Sequence, residues 1–246
     1  MSLSILAVIP ARGGSKGLPG KNLKPFAGLP LIAHTVLFAK MCRDIDRAIV
    51  STDAPEIAEM AKRFGAEVPF LRPAELAQDD TPLWDVVRHA WKTVRRSDGS
   101  AYEAVLLLDP TSPARELVDV EEAARRLQEQ PEADGIISVS QPDFNPIWHC
   151  VIERDGWMVD LHPEGLRYAR RQDVPPVYRI NGSLYLWRSA FVEREPRNWR
   201  VGRHLLYETP ELRAMSIDTA AEFGRAELLV KSGLVVLPWL SEVPAQ

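Results

Sequence analysis

The chain has 246 residues, 46% of them hydrophobic and 26% charged, with 30 basic residues against 34 acidic ones for a formal net charge of −4. That size and composition suit one sizeable α/β domain or a domain with an appended lobe. The acidic balance argues against broad affinity for nucleic acid or anionic membranes, so any anion site has to be local.

Cys42 and Cys150 make neither a metal cluster nor a disulfide framework and read as buried packing in a reducing compartment. The apolar run at the N-terminus has no basic segment before it and is too short for a signal peptide or a membrane span, which points to the cytoplasm.

Residues 3–9 form that run and read as a buried strand. It feeds Ile9-Pro-Ala-Arg-Gly-Gly-Ser-Lys-Gly-Leu-Pro-Gly-Lys21-Asn22. The glycines let backbone N–H groups approach an anion, and Arg12, Lys16 and Lys21 surround it with positive charge, a combination suited to phosphate. Gly20-Lys21 is followed by Asn22, so the loop is not a P-loop. It is not a dinucleotide fingerprint either, because Gly-x-Gly-x-x-Gly is missing and Pro19 would interrupt the helix.

Residues 30–41 have apolar side chains at helical spacing, 47–53 read as a buried strand, and 54–64 as a helix stopped at Gly65. Residues 67–71 are expected to add a short strand. An amphipathic helix over 82–94 carries Trp84 and Trp91, and its lone His89 reads as packing or surface. Residues 104–109 are an apolar run without alternation, predicting a central strand covered on both faces. A helix over 116–130 and a strand over 135–140 follow.

Beyond residue 140 prolines and aromatics accumulate, with a hairpin expected around Asp155-Gly156 and a basic run at Arg167, Arg170 and Arg171. Residues of about 141–180 and 188–212 are read as an inserted lobe for acceptor binding and dimerisation within a single domain spanning 1–246. Strand character returns at 179–187, a helix is expected over 219–231, and 234–237 reads as a last short strand. Alternating strands and helices predict a doubly wound, mostly parallel sheet of Rossmann-like kind.

The loop over residues 9–22 resembles, without gaps, the signature loop of the cytidylyltransferases that activate sialic acids, the CMP-N-acetylneuraminate synthetase family. The resemblance implies that CTP is held by Ala11, Arg12, Gly13, Ser15, Lys21 and Asn22, with Lys21, Arg12 and Asp218 as the catalytic groups. Phe70-Leu-Arg72-Pro-Ala-Glu-Leu-Ala is similar to the family's base-recognition segment, which implies that Arg72 and Thr81 contact cytosine.

Asp109-Pro-Thr-Ser-Pro-Ala-Arg115 resembles the family's Gln-Pro-Thr-Ser-Pro-Leu-Arg. Arg171-Gln172 and Tyr178-Arg-Ile-Asn181-Gly-Ser-Leu-Tyr185 resemble its acceptor segment. Asp109, Arg171, Gln172, Asn181 and Tyr185 are thereby implied to line a sugar pocket, and a guanidinium fork suits the carboxylate of a 2-keto sugar acid. Ser216-Ile-Asp218-Thr is similar to the family's Asp-x-Asp-Thr, which holds Mg²⁺; Asp218 is kept and Ser216 replaces the other carboxylate. Asp109, standing where the family has glutamine, is read as accepting a hydrogen bond from a different sugar, with approach to the metal as the alternative.

The resemblance implies transfer of CMP from CTP to the anomeric hydroxyl of a sialic acid or related nonulosonic acid. It further implies a homodimer in which Trp199 reaches the partner's site. A 3-deoxy-manno-octulosonate cytidylyltransferase and a non-catalytic CTP-binding protein are the alternatives. No histidine is placed as a general base.

Overall fold

The computed structural model describes residues 3–98 and 101–241. The N-terminal run forms strand β1 (Ile5–Pro10), buried along its whole length. Its loop ends in a two-residue hairpin, β2 (Pro25–Phe26) and β3 (Leu29–Pro30), followed by α1 (Leu31–Met41), β4 (Arg47–Ser51), α2 (Pro55–Arg63), α3 (Leu83–Asp98) and β5 (Ala104–Leu107). After α4 (Leu117–Glu129) and β6 (Gly135–Ser140) come the short α5 (Pro146–His149) and the hairpin β7 (Val151–Arg154) and β8 (Trp157–Asp160). The chain closes with β9 (Arg179–Arg188), α6 (Ser189–Glu193), β10 (His204–Glu208) and α7 (Ala220–Lys231).

Six strands form the main sheet in the order β10-β6-β9-β5-β1-β4. β1 runs parallel to β4 and β5, and β6 runs parallel to β10, whereas β9 is antiparallel to both β5 and β6. The mostly parallel architecture is therefore as expected, with β9 reversed for a definite reason. The chain leaves β6 at Ser140 and re-enters opposite it at Arg179, so the excursion joins adjacent antiparallel strands and needs no crossover.

Alternate residues of β1 feed two cores. Ile5, Ala7 and Ile9 pack with Ile32, Val120 and Phe223 from α1, α4 and α7, while Leu6 and Val8 face Trp84, Val87 and Trp91 of α3 and Phe191 of α6. A strand covered on both faces loses the polar alternation of a half-exposed one, which is why these strands read as continuous apolar runs. Each fully buried aliphatic side chain contributes about 1.5–3 kcal/mol, so β1 anchors whatever follows it.

Three expected boundaries change. Residues 67–71 make isolated bridges at Glu67 and Leu71 only, because Pro69 has no N–H to donate to a ladder. Residues 234–237 are not a strand: Val235 and Leu237 are buried while Leu234 and Val236 face solvent, an alternation with no neighbouring strand to pair it. Residues 204–208, expected within the second inserted stretch, form the sheet's edge strand β10 beside β6. The hairpin at Asp155-Gly156 is present, both residues having positive φ.

Candidate active site

β1 and β5 are neighbours, but β1 connects outward to β4 before the chain returns to β5. Such a reversal of strand order leaves a crevice at the carboxyl ends of the strands, where ligands of open α/β sheets bind. A cavity of about 510 Å³ lies there, lined by Pro10 at the end of β1 and Arg12 beyond it, Asp109 and Thr111 after β5, Arg72 beyond β4, and Asp218 before α7. Ser15, Lys21, Asn22 and Thr81 also line it, so eight of the expected site residues converge on one cavity.

The loop is tied to the end of β4 and to itself. The Ala11 N–H donates to Ser51 O at 2.9 Å, the Gly13 N–H to Asp53 Oδ1 at 3.1 Å, and Asn22 Nδ2 to Arg12 O at 3.0 Å. Ala11 is buried, and Ala11 and Gly13 shape the loop behind the cavity lining. Gly17 is required by contact: a Cβ there would stand 2.5 Å from the carbonyl oxygen of Asp218. Gly20 adopts φ 66°, the left-handed turn that starts the 3-10 segment Lys21–Leu23.

Lys21 departs from the exposed loop residue its position suggests. Its side chain is 11% exposed, and Nζ donates to Asp218 Oδ1 at 2.7 Å. Asp218 Oδ2 accepts from the Ser216 hydroxyl at 2.8 Å, so the serine in place of a second carboxylate orients the one that remains. Burial opposes charge on Asp218, yet the bonds from Lys21 and Ser216 outweigh it and hold the carboxyl below its ordinary value.

Arg72 is 6% exposed, with its Nε donating to Ser51 Oγ at 3.1 Å and its Nη2 to Ser51 O. Burial pulls it down to about 10, against the favourable charge of Asp53, so it stays cationic at neutral pH. Thr81 donates to Glu75 O at 3.3 Å. Across the loop, Arg12 Nη1 meets Asp79 Oδ1 at 2.9 Å and Gln78 O at 3.0 Å, while Lys16 pairs with Asp79 Oδ2. The bond from Lys16 leads the influences that keep the Asp79 carboxyl below its usual value.

The acceptor residues do not gather in the same way. Arg171 and Gln172 are exposed, Arg171 donating to Asp143 O at 3.3 Å. Asn181 lies inside the sheet: its Oδ1 accepts from Ser138 Oγ at 2.7 Å and its Nδ2 donates to Thr209 Oγ1 at 2.7 Å. Tyr185 stacks on Trp187 at 5.5 Å between ring centroids, and burial, then the charge of Asp109, pushes its hydroxyl up to about 12. Trp199, expected to reach outward, packs within its own chain against Tyr185, Trp187 and His204.

Asp109 does line the cavity, its Oδ1 accepting from the Thr111 N–H at 3.0 Å. Behind it, Arg115 is 1% exposed and donates to Asp109 O at 2.6 Å and to Ser183 O, tying the end of β5 to β9. Arg115 stands in the quoted motif, but a motif alone does not signal that its guanidinium serves two backbone carbonyls.

A mostly parallel α/β sheet whose first loop brings Arg12, Lys16 and Lys21 to a cavity faced by Asp218 is suited to a phosphate-bearing ligand at the carboxyl ends of its strands. A sequence model described as Cytidylyltransferase matches residues 6–195, and the chain belongs to that family.

It is 38% identical over 188 residues to the CMP-N,N'-diacetyllegionaminic acid synthase of Legionella pneumophila, covering 75% of this chain and 78% of that protein. It is 29% identical over 220 residues to an N-acylneuraminate cytidylyltransferase of Streptococcus agalactiae, covering 89% of this chain and 51% of that protein. A solved structure described as CMP:2-keto-3-deoxy-manno-octonic acid synthetase complexed with CTP superposes with a TM-score of 0.70 at 18% identity, over 94% of this chain and 99% of that one. At that identity the likeness speaks for the fold. The resemblance carried by residues 9–22 is thus borne out at the level of the family.

Proposed function

We propose that the chain transfers CMP from CTP to the anomeric hydroxyl of a sialic acid or related nonulosonic acid and releases pyrophosphate. The observation that carries this reading is the Lys21–Asp218 pair in a cavity walled by Arg12 and Arg72, in a chain whose relatives are named as a CMP-N,N'-diacetyllegionaminic acid synthase and an N-acylneuraminate cytidylyltransferase. Balanced, the step forms a bond from the anomeric oxygen to the α-phosphorus. It breaks the bond from that phosphorus to the oxygen bridging to the β-phosphorus, and pyrophosphate departs with the electron pair.

Arg12, Lys16 and Lys21 neutralise the triphosphate, and Arg72, buried and fixed by Ser51, presents its remaining donors to the base. None of the five histidines lines the cavity, so the hydroxyl proton passes to solvent. Asp218 and Asp109 offer hard oxygen donors on the same cavity. That set fits Mg²⁺, which takes one or two carboxylates and completes its shell with phosphate oxygens and water; when bound it would supply further neutralisation of the phosphates.

The protein is further read as a cytoplasmic homodimer. Trp157, Met158 and Leu166 on residues 141–178 are 76%, 77% and 78% exposed, large apolar side chains that a second copy would cover. Among the described residues no helix is long and apolar enough to cross a membrane, and both cysteines are free.

Pyrophosphate release with CTP and a panel of sugar acids tests the reaction. Release with sialic, legionaminic or pseudaminic acid is the expected result. Release with 3-deoxy-manno-octulosonate alone would make that sugar the acceptor, and tight CTP binding without release for any acid would make the protein a binder.

A further inference from the structure

Three of the four cations lining the cavity lie against a carboxylate, and the fourth, Arg72, against the oxygens of Ser51. Lys21 is held by Asp218, and Arg72 lies against Ser51. Arg12 and Lys16 share one carboxylate: Asp79 gives Oδ1 to Arg12 at 2.9 Å and Oδ2 to Lys16. The neighbouring Gln78 supplies its carbonyl to the same Arg12 nitrogen at 3.0 Å. Asp79 stands on the irregular segment between Arg72 and α3, not on the loop it contacts, so the pairs bridge two separate stretches of chain across the cavity. All three residues line the cavity, and their side chains are 31%, 80% and 43% exposed for Arg12, Lys16 and Asp79. A carboxylate presenting its two oxygens to a guanidinium and an ammonium uses the same donors a phosphate group would need.

We propose that Asp79 is a built-in competitor of the phosphates: nucleotide entry exchanges the Asp79 carboxylate for phosphate oxygens on Arg12 and Lys16. This rests on the cavity being the CTP site. The exchange has two consequences. A triphosphate reaches Arg12 and Lys16 and has to displace Asp79, whereas a monophosphate engages fewer of these cations, so Asp79 tempers the affinity for the nucleoside triphosphate more than that for the monophosphate. Once pyrophosphate has formed, the same carboxylate competes for its place and speeds its departure. A segment that merely stapled the loop would act in the opposite direction, since losing its pairs would loosen the loop and weaken binding.

Asp79→Asn removes the competing charge while keeping the shape of an exposed residue. In calorimetric titrations at low salt, CTP and inorganic pyrophosphate should each bind about five- to twentyfold more tightly than to wild type, the gain of relieving one or two partly exposed ion pairs. The gain should shrink at high salt, and the affinity for CMP should rise less. Asp79→Glu, which keeps the charge, should behave as wild type, and the thermal midpoint of Asp79→Asn should be unchanged. In a Lys16→Ala background the gain from Asp79→Asn should fall, since one of its two partners is gone.

Unchanged or weaker binding by Asp79→Asn overturns the competitor role, as does a gain that is undiminished without Lys16. If wild type binds CTP but Asp79→Asn is inert, the competitor role alone is lost. If wild type binds neither CTP nor pyrophosphate, the reading of the cavity falls and takes the competitor role with it.

Discussion

The loop over residues 10–22 and the excursion over residues 141–178 are both irregular, yet they are built in opposite ways. The first hangs from a strand with no exposed side chain, buries Lys21 and Asn22, and closes on itself through Asn22 and on its surroundings through Asp53 and Asp218. The second has short elements, a hairpin whose side chains are almost all exposed, and only Gly165 and Val174 buried. A segment fixed by the core can preorganise charge, because its groups do not have to be ordered when the ligand arrives. A segment that buries so little has not recovered its ordering entropy within one chain. On the proposed function, the nucleotide half of the site is read as complete in the monomer and the acceptor half as completed by the second copy of the proposed dimer.

Four measurements break or sharpen that contrast. Lys21→Met should cut kcat/KM about a thousandfold, as expected for a group stabilising charge in the transition state. It should also lower the thermal midpoint, because the loop loses its ion pair with Asp218; near-normal turnover would sever the loop from the chemistry. Gly17→Ala drives a Cβ into Asp218 O, and displacing the loop should cost about a hundredfold in turnover, with unchanged kinetics showing that the loop gives way freely.

His34 tests the rigidity of the core beneath the loop. Its Nδ1 accepts from Trp239 Nε1 at 3.0 Å, so its Nε2 carries the proton and donates to Phe26 O at 2.8 Å. Burial lowers it from 6.5 to about 4. Between those values the unfolded chain takes up a proton that the folded chain refuses, so stability falls as pH falls. About 2 kcal/mol should be lost between about pH 7 and pH 5, measured by urea unfolding, and the loss should shrink in His34→Gln. An equal loss in that variant would place the titration elsewhere.

The smallest effect is expected in the excursion. Trp157→Ser with Met158→Ser should change monomer stability by less than about 0.5 kcal/mol while abolishing the dimer in light scattering. A dimer that persists would move the interface to another face.

What the sequence revealed follows the same division. Glycine, proline and charge after an apolar run are local signals, and they place Arg12, Lys21 and Asn22 at the cavity without knowledge of the rest of the chain. Asp109 joins them because it follows β5 at the same edge of the sheet, whereas Arg72, beyond β4, and Asp218, before α7, were indicated by the resemblance of their segments. The burial of Lys21 was not legible, since it depends on Asp218 lying 197 positions away.

Asn181 and Tyr185 escaped for a related reason. Whether β9 turns these side chains to a cavity or into the sheet is decided by its antiparallel register between β5 and β6, including the register shift between Ile137 and Val139. β10 was hidden because an edge strand with one buried residue, Tyr207, carries little pattern.

A crystal structure with CTP tests the central claim most directly. The account places the triphosphate against Arg12, Lys16 and Lys21, with Asp79 withdrawn from them and cytosine at Arg72. A nucleotide bound instead in the neighbouring cavity of about 620 Å³ beside Arg179 and Arg225 would contradict it.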